Sequence, residues 1–214
     1  MVEHVRNHWY ARPGWHAGRS FYTWFLTFPD DPVLAELHAA YQPLVGTLDG
    51  LTPVPAQRLH VRLQGIGFAD KVPQDDLVLI VEAAQRRLEF FDPFEIQIGP
   101  ATVDEESLQL PVEPVHRVRR LRAQLRAAIT DVWGRDSVPS RPELNPHISL
   151  GYWNRSADAA PLRKRVAALG GGVAKTQVTR AGLIKHTQDR QADEWTTYTT
   201  VALGSPTNTQ TGSR

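Results

Sequence analysis

Apolar residues recur along this chain with two periods, and the switches between them divide it into strands and helices. Ser20 to Phe28 (SFYTWFLTF) is aromatic and threonine-rich and predicts a strand. From Asp31 to Leu48 the apolar positions Leu34, Leu37, Tyr41, Leu44 and Leu48 follow helical spacing, with Pro32 in the first turn. Pro53 and Pro55 break the chain before a second strand, Arg58 to Phe68. A helix over Asp75–Leu88 precedes the alternating segment Phe94–Ile98. Residues 101–112 predict a hairpin, and its acidic turn Asp104-Glu105-Glu106 is expected to be a solvated end. Pro114 to Trp133 is the most strongly periodic stretch, with Val118, Leu121, Leu125, Ala128 and Val132 on one face. Arg119, Arg122 and Arg126 share another face, read either as a solvated surface or as a stripe that steers phosphates. After the linker Gly134–Pro146 come a strand at His147, a helix Pro161–Leu169 closed by Gly170–Gly172, and strands near Thr176–Lys185 and Trp195–Leu203.

Two strands in this order carry chemistry on their polar face. In His60-Val61-Arg62-Leu63, alternation puts His60 and Arg62 on one side and Val61 and Leu63 on the other. In His147-Ile148-Ser149-Leu150, His147 and Ser149 share a side in the same way. Each segment buries an aliphatic face and presents an imidazole beside a phosphate-binding donor. A lone strand histidine is usually structural. Two similar tetrapeptides, each set among comparable elements, fit an ancient duplication better than two unrelated domains.

An ordinary imidazole titrates near pH 6.5, so a pair in one cleft can hold opposite protonation states. The neutral ring takes a proton from water or a ribose hydroxyl, and the charged ring gives one to the departing oxygen. Ser149 and Arg62 then hold non-bridging phosphate oxygens. This scheme asks for no metal and no covalent nucleophile.

The composition of the 214 residues agrees with a packed protein: 41% are hydrophobic and 22% charged. A net charge of +1 provides no global funnel for long nucleic acid and leaves room for a small anionic ligand or a local basic patch. The absence of cysteine removes disulfides and thiolate chemistry. His186 with Asp189 and Asp193 matches no metal-ligand spacing. The polar amino terminus is unlike a signal peptide and no segment is long enough to span a membrane, so a cytoplasmic monomer without cofactor or metal is expected.

The two motifs resemble the paired His-x-Ser/Thr-x signatures of the 2H phosphoesterase superfamily, in its 2′-5′ RNA ligase-like and cyclic phosphodiesterase branch. The segments RNHWYARPGW, FYTWFLTF and LQGIGF are similar to an actinobacterial-type subgroup of that branch. The resemblance implies an α+β bilobal fold: two antiparallel sheets with pseudo-twofold symmetry, flanked by helices, with a cleft between the lobes. The resemblance covers residues 20–203 as one such domain; outside it, the aperiodic residues 1–19 read as an amino-terminal arm and 204–214 as a disordered tail. It also implies hydrolase activity on 2′,3′-cyclic phosphates or 2′-5′ linkages at RNA or nucleotide ends. His60 and His147 would be the acid–base pair and Ser149 a phosphate ligand.

Arg62 departs from the pattern, which places Ser or Thr there. It is expected either to hold phosphate itself or to weaken the enzyme, leaving a nucleotide-end binding protein on the same fold. Tyr152 falls on the face opposite Ser149 unless Gly151 bends the strand; it reads as a base-stacking residue at the cleft edge or as a core aromatic. Trp9, within the aromatic run His8, Trp9, Tyr10, Trp15 and His16, is expected either at the cleft edge or packed on the body.

Overall fold

Alternating burial along the strands determines how the sheets stack. A computed structural model describes residues 2–10, 12–138, 143–187 and 194–204. The described elements begin with β1 (His4–Val5), β2 (Ser20–Thr27), α1 (Pro32–Val45), β3 (Leu51–Pro53), β4 (His60–Phe68), α2 (Gln74–Leu88) and β5 (Phe94–Ile98). There follow β6 (Thr102–Val103), β7 (Ser107–Glu113), α3 (Val115–Trp133), β8 (His147–Trp153) and β9 (Ala157–Asp158). The chain continues through α4 (Ala159–Ala168), β10 (Ala174–Val178), β11 (Arg180–Thr187) and β12 (Glu194–Ala202).

Two antiparallel sheets form the body. One runs β12-β11-β2-β4, and the other runs β10-β5-β7-β8-β3 with β6 paired to β7. Helix α2 packs on β12 and α3 on β4, whereas α1 packs on β10 and β8. Helix α3 also reaches β7 of the second sheet, and each sheet contributes one histidine strand. Val61, Leu63, Ile148 and Leu150 all lie in the buried core. This α+β, two-lobed arrangement agrees with the fold the motifs imply. Among the described residues no helix is long and apolar enough to cross a membrane.

Most sequence boundaries move by a residue or two, as expected where caps decide the ends. Helix α1 starts where the Asp31 side chain accepts from Leu34 N at 2.9 Å. Helix α4 starts two residues before Pro161, capped by Asp158 accepting from Ala160 N at 2.9 Å. One expectation needs correction. The segment Thr176–Lys185 is not one strand: β10 pairs with β5 in one sheet, and β11 pairs with β2 and β12 in the other. Only Thr179 separates them. The burial pattern shows why they differ, since β10 alternates while Ala181 to Ile184 are buried on both faces.

The amino-terminal residues are anchored on both sheets. β1 pairs with β9, Arg6 N donates to Glu105 O at 2.8 Å, and His8 N donates to Trp153 O at 2.7 Å. Further on, Trp15 packs on Phe21 and Phe68 of the other sheet, and Arg19 pairs with Asp70. The arm thus crosses from one sheet to the other. Residues 205–214, the bulk of the expected tail, lie outside the described residues.

Gly151 allows β3 to approach β8 closely. A Cβ there would stand 2.7 Å from Leu51 Cγ and 3.0 Å from the Thr52 carbonyl oxygen, which belongs to the backbone. Gly151→Ala should therefore lower the unfolding free energy by about 1–3 kcal/mol through overpacking. Urea denaturation checks this, and an unchanged midpoint would contradict it.

Candidate functional site

His60 and His147 occupy equivalent positions, each the first residue of its strand. His60 Nδ1 bonds the Arg58 carbonyl at 2.8 Å, and His147 Nδ1 bonds the Asn145 carbonyl at 2.9 Å. Both acceptors lie two residues upstream. A carbonyl oxygen can only accept, so each ring carries its proton on Nδ1 and keeps Nε2 as the basic nitrogen when neutral. The lead-in differs: the 3-10 turn Ala56–Arg58 precedes His60, whereas irregular backbone ending at Pro146 precedes His147.

The structure brings both histidines to one cleft between the sheets. Arg62, Ser149 and Tyr152 line it with them, and its volume is about 270 Å³. Alternation accounts for Arg62 and Ser149. It does not account for Tyr152, three residues beyond Ser149. The pairing of β7 with β8 steps from Leu108↔Gly151 to Gln109↔Ser149, leaving Leu150 as an extra residue in β8. That bulge reverses the facing of the residues beyond it and turns Tyr152 into the cleft. Trp9 stands one layer back, edge-on to His8 at 5.0 Å and to Tyr152 at 5.7 Å.

The two half-sites differ in their surroundings. The His60 ring is stacked on Phe25 at 4.2 Å and meets Trp195 edge-on at 4.9 Å. Arg58 lies over the same Trp195 ring. A further histidine, His186, is buried in the cleft wall, its Nε2 3.2 Å from Thr23 Oγ1. Its sequence partners Asp189 and Asp193 lie outside the described residues. Beyond Arg62 the cleft adjoins a second cavity of about 340 Å³, which shares Arg62, Asp104 and His147 and adds Gln109, Arg122 and Asn145.

Two readings of the charged segments require correction. Arg119 and Arg122 do not form a merely solvated face. Arg119 Nε donates to Leu144 O at 2.8 Å and its Nη2 to Asn145 Oδ1 at 3.3 Å, beside the carbonyl that orients His147. Arg122 Nε donates to Gln64 Oε1 at 3.1 Å, two residues past Arg62 on β4. Helix α3 thereby braces both histidine strands. Arg126, a turn further along, presses on Arg122: burial and the Arg126 charge together lower the proton affinity of Arg122.

The acidic turn is likewise no solvated end. Glu106 receives Arg6 Nη2 at 2.6 Å, Arg12 Nη2 at 2.8 Å and His8 Nδ1 at 3.0 Å. Sequence periodicity carries no signal for these contacts, because the arm has no period of its own. The nearest sign was the density of aromatic and basic residues from His8 to His16.

A model of the 2′-5′ RNA ligase superfamily matches residues 26–190, most of the chain. The chain belongs to that superfamily, the 2H phosphoesterases. Its fold is similar to that of LigT from E. coli, with a TM-score of 0.63 and 17% identity over 87% of this chain and 98% of LigT. The protein TT0787 of Thermus thermophilus gives 0.61 and 19% over 86% and 97%. A structure described as a phosphoesterase gives 0.62 and 18% over 87% and 98%. No curated protein sequence matches the chain.

Glu106 supplies a pH test of how the arm is held. Burial alone would raise its pKa, but hydrogen bonds from His8 and Arg6 and the charge of Arg12 outweigh that, lowering it from the ordinary 4.5 to about 2. Its stabilising contribution is complete above about 4.5 and is lost as pH falls through about 2. The protection factors of the Arg6 and His8 amides, measured against their intrinsic exchange rates, should accordingly fall across that window. Glu106→Gln should lower the protection of these amides at neutral pH and show little further loss of protection on acidification.

Proposed function

We propose that this 2H phosphoesterase is a phosphodiesterase that opens 2′,3′-cyclic phosphates or cleaves 2′-5′ linkages at RNA or nucleotide ends. The observation that carries the reading is the matched pair of Nδ1 bonds in one cleft. Each bond leaves Nε2 as the working nitrogen of its ring, and the rings come from opposite sheets, so they flank a ligand rather than each other. Arg62 and Ser149 line the same space and supply one charged and one neutral donor for the non-bridging oxygens. LigT of E. coli has been solved with phosphate and with 3′-AMP, which supports a nucleotide phosphate as the ligand here.

For a cyclic phosphate the step balances within the pair. Nε2 of the neutral histidine takes a proton from water as the water oxygen bonds phosphorus. The bond from phosphorus to one ribose oxygen breaks in line, and the charged histidine's Nε2 proton passes to that oxygen. The product is a phosphomonoester, and the two rings have exchanged protonation states, which solvent resets. Arg62 and Ser149 stabilise the charge that gathers on the phosphate oxygens during attack. Near-equivalent half-sites let either histidine serve as the base.

A pH–rate profile on a 2′,3′-cyclic nucleotide should be bell-shaped, since one ring must be neutral and the other charged. His60→Ala and His147→Ala should each lower kcat/KM by about 10²–10⁴-fold. Binding of the nucleotide without turnover in the wild-type protein would leave a nucleotide-end binding protein on this fold. Arg62→Thr distinguishes a phosphate ligand from an obstruction. We expect it to weaken binding and slow turnover together, and faster turnover would assign Arg62 the opposite role.

A further inference from the structure

The arm precedes the part of the chain that the superfamily model matches, which begins at residue 26. It is nevertheless built into the cleft, where His8 and Arg12 line the same space as His60 and His147. The His8 ring lies parallel to Tyr152, with centroids 4.1 Å apart and planes within 19°. Trp9 backs both rings edge-on. His8 is fixed from two directions, by its amide to the Trp153 carbonyl and by Nδ1 to Glu106. Arg12 is held at the same carboxylate.

We infer that the arm completes the site as a nucleobase wall, in which His8 and Tyr152 form one stacked aromatic platform and Arg12 holds a cation beside it. The inference rests on the reading of the cleft as a nucleotide phosphodiesterase site. It adds where the base goes and which part of this chain selects for one. Phe25 and Trp195 line the cleft from the opposite sheet, with the Phe25 ring already covered by His60. Stacking on such surfaces tolerates any base, because every base has a π-face. The platform therefore favours nucleotides over base-free phosphate esters and does not choose among bases.

The arrangement also has a built support. Glu106 gathers Arg6, His8 and Arg12, while Trp15 and Arg19 secure the far end of the arm on the other sheet. These contacts hold His8 and Arg12 before a ligand arrives, so little of the stacking energy is spent on fixing the platform.

Calorimetric titration of 3′-AMP and of inorganic phosphate into the full chain separates the possibilities. His8→Ala and Tyr152→Ala should each weaken 3′-AMP binding by about ten-fold and change phosphate binding by less than about two-fold. His8→Phe, which keeps a flat ring, should restore most of the loss, and melting temperatures confirm that the variants fold. Equal weakening of both ligands, or no change in either, overturns the platform while leaving the phosphodiesterase reading intact. Phosphate binding without 3′-AMP binding in the wild type does the same. A wild-type protein that binds neither ligand and turns over no cyclic nucleotide overturns both readings.

Discussion

Burying one face of a strand fixes the direction of everything on the other face. In β4 and β8 the aliphatic residues Val61, Leu63, Ile148 and Leu150 are held in the core. A slip of one residue in either strand would bury an imidazole and expose a branched chain, so packing forbids it. The cleft chemistry is in this sense a by-product of the core. His60, Arg62, His147 and Ser149 face the cleft because their neighbours cannot. The carbonyl that orients each ring lies just before the register is set, which makes the two ring orientations nearly as firm as the strands themselves.

Around that frame, polar groups are used to hold the strands rather than to decorate a surface. Helix α3 reaches β4 through Arg122 and the residues before β8 through Arg119, so a single rigid element touches both half-sites. Glu106 does the complementary work at the cleft mouth, gathering the arm's cations and His8. Each arginine that satisfies a backbone carbonyl or carboxylate in this way is unavailable for steering a long polyanion. The local cation inside the cleft is the contribution that fits the small net charge of the whole chain.

What was legible in the sequence was local. Alternation in HVRL and HISL placed the paired polar faces, and the helical period of residues 115–133 placed the core side of α3. What was not legible depends on partners far along the chain. The facing of Tyr152 depends on an extra residue, Leu150, visible only in the pairing with β7. The split at Thr179 depends on which strands receive each half. His8, Arg12 and Glu106 meet across roughly half the chain, and an aperiodic arm gives no hint of its destination. The arginine face of α3 shows the same limit, since periodicity separates core from non-core but cannot tell solvent from a neighbouring carbonyl.

The single residue between β10 and β11 has a consequence for how the molecule comes apart. Thr179 carries the chain from one sheet to the other with no slack, and its carbonyl also receives the amide of Leu203. Each sheet is assembled from strands drawn from both ends of the sequence: β2 and β4 with β11 and β12 in one, β3 and β5 with β8 and β10 in the other. Neither lobe is a contiguous fragment. The two lobes look separable in space, but they are interleaved in the chain, and they should lose structure as one cooperative unit rather than in sequence.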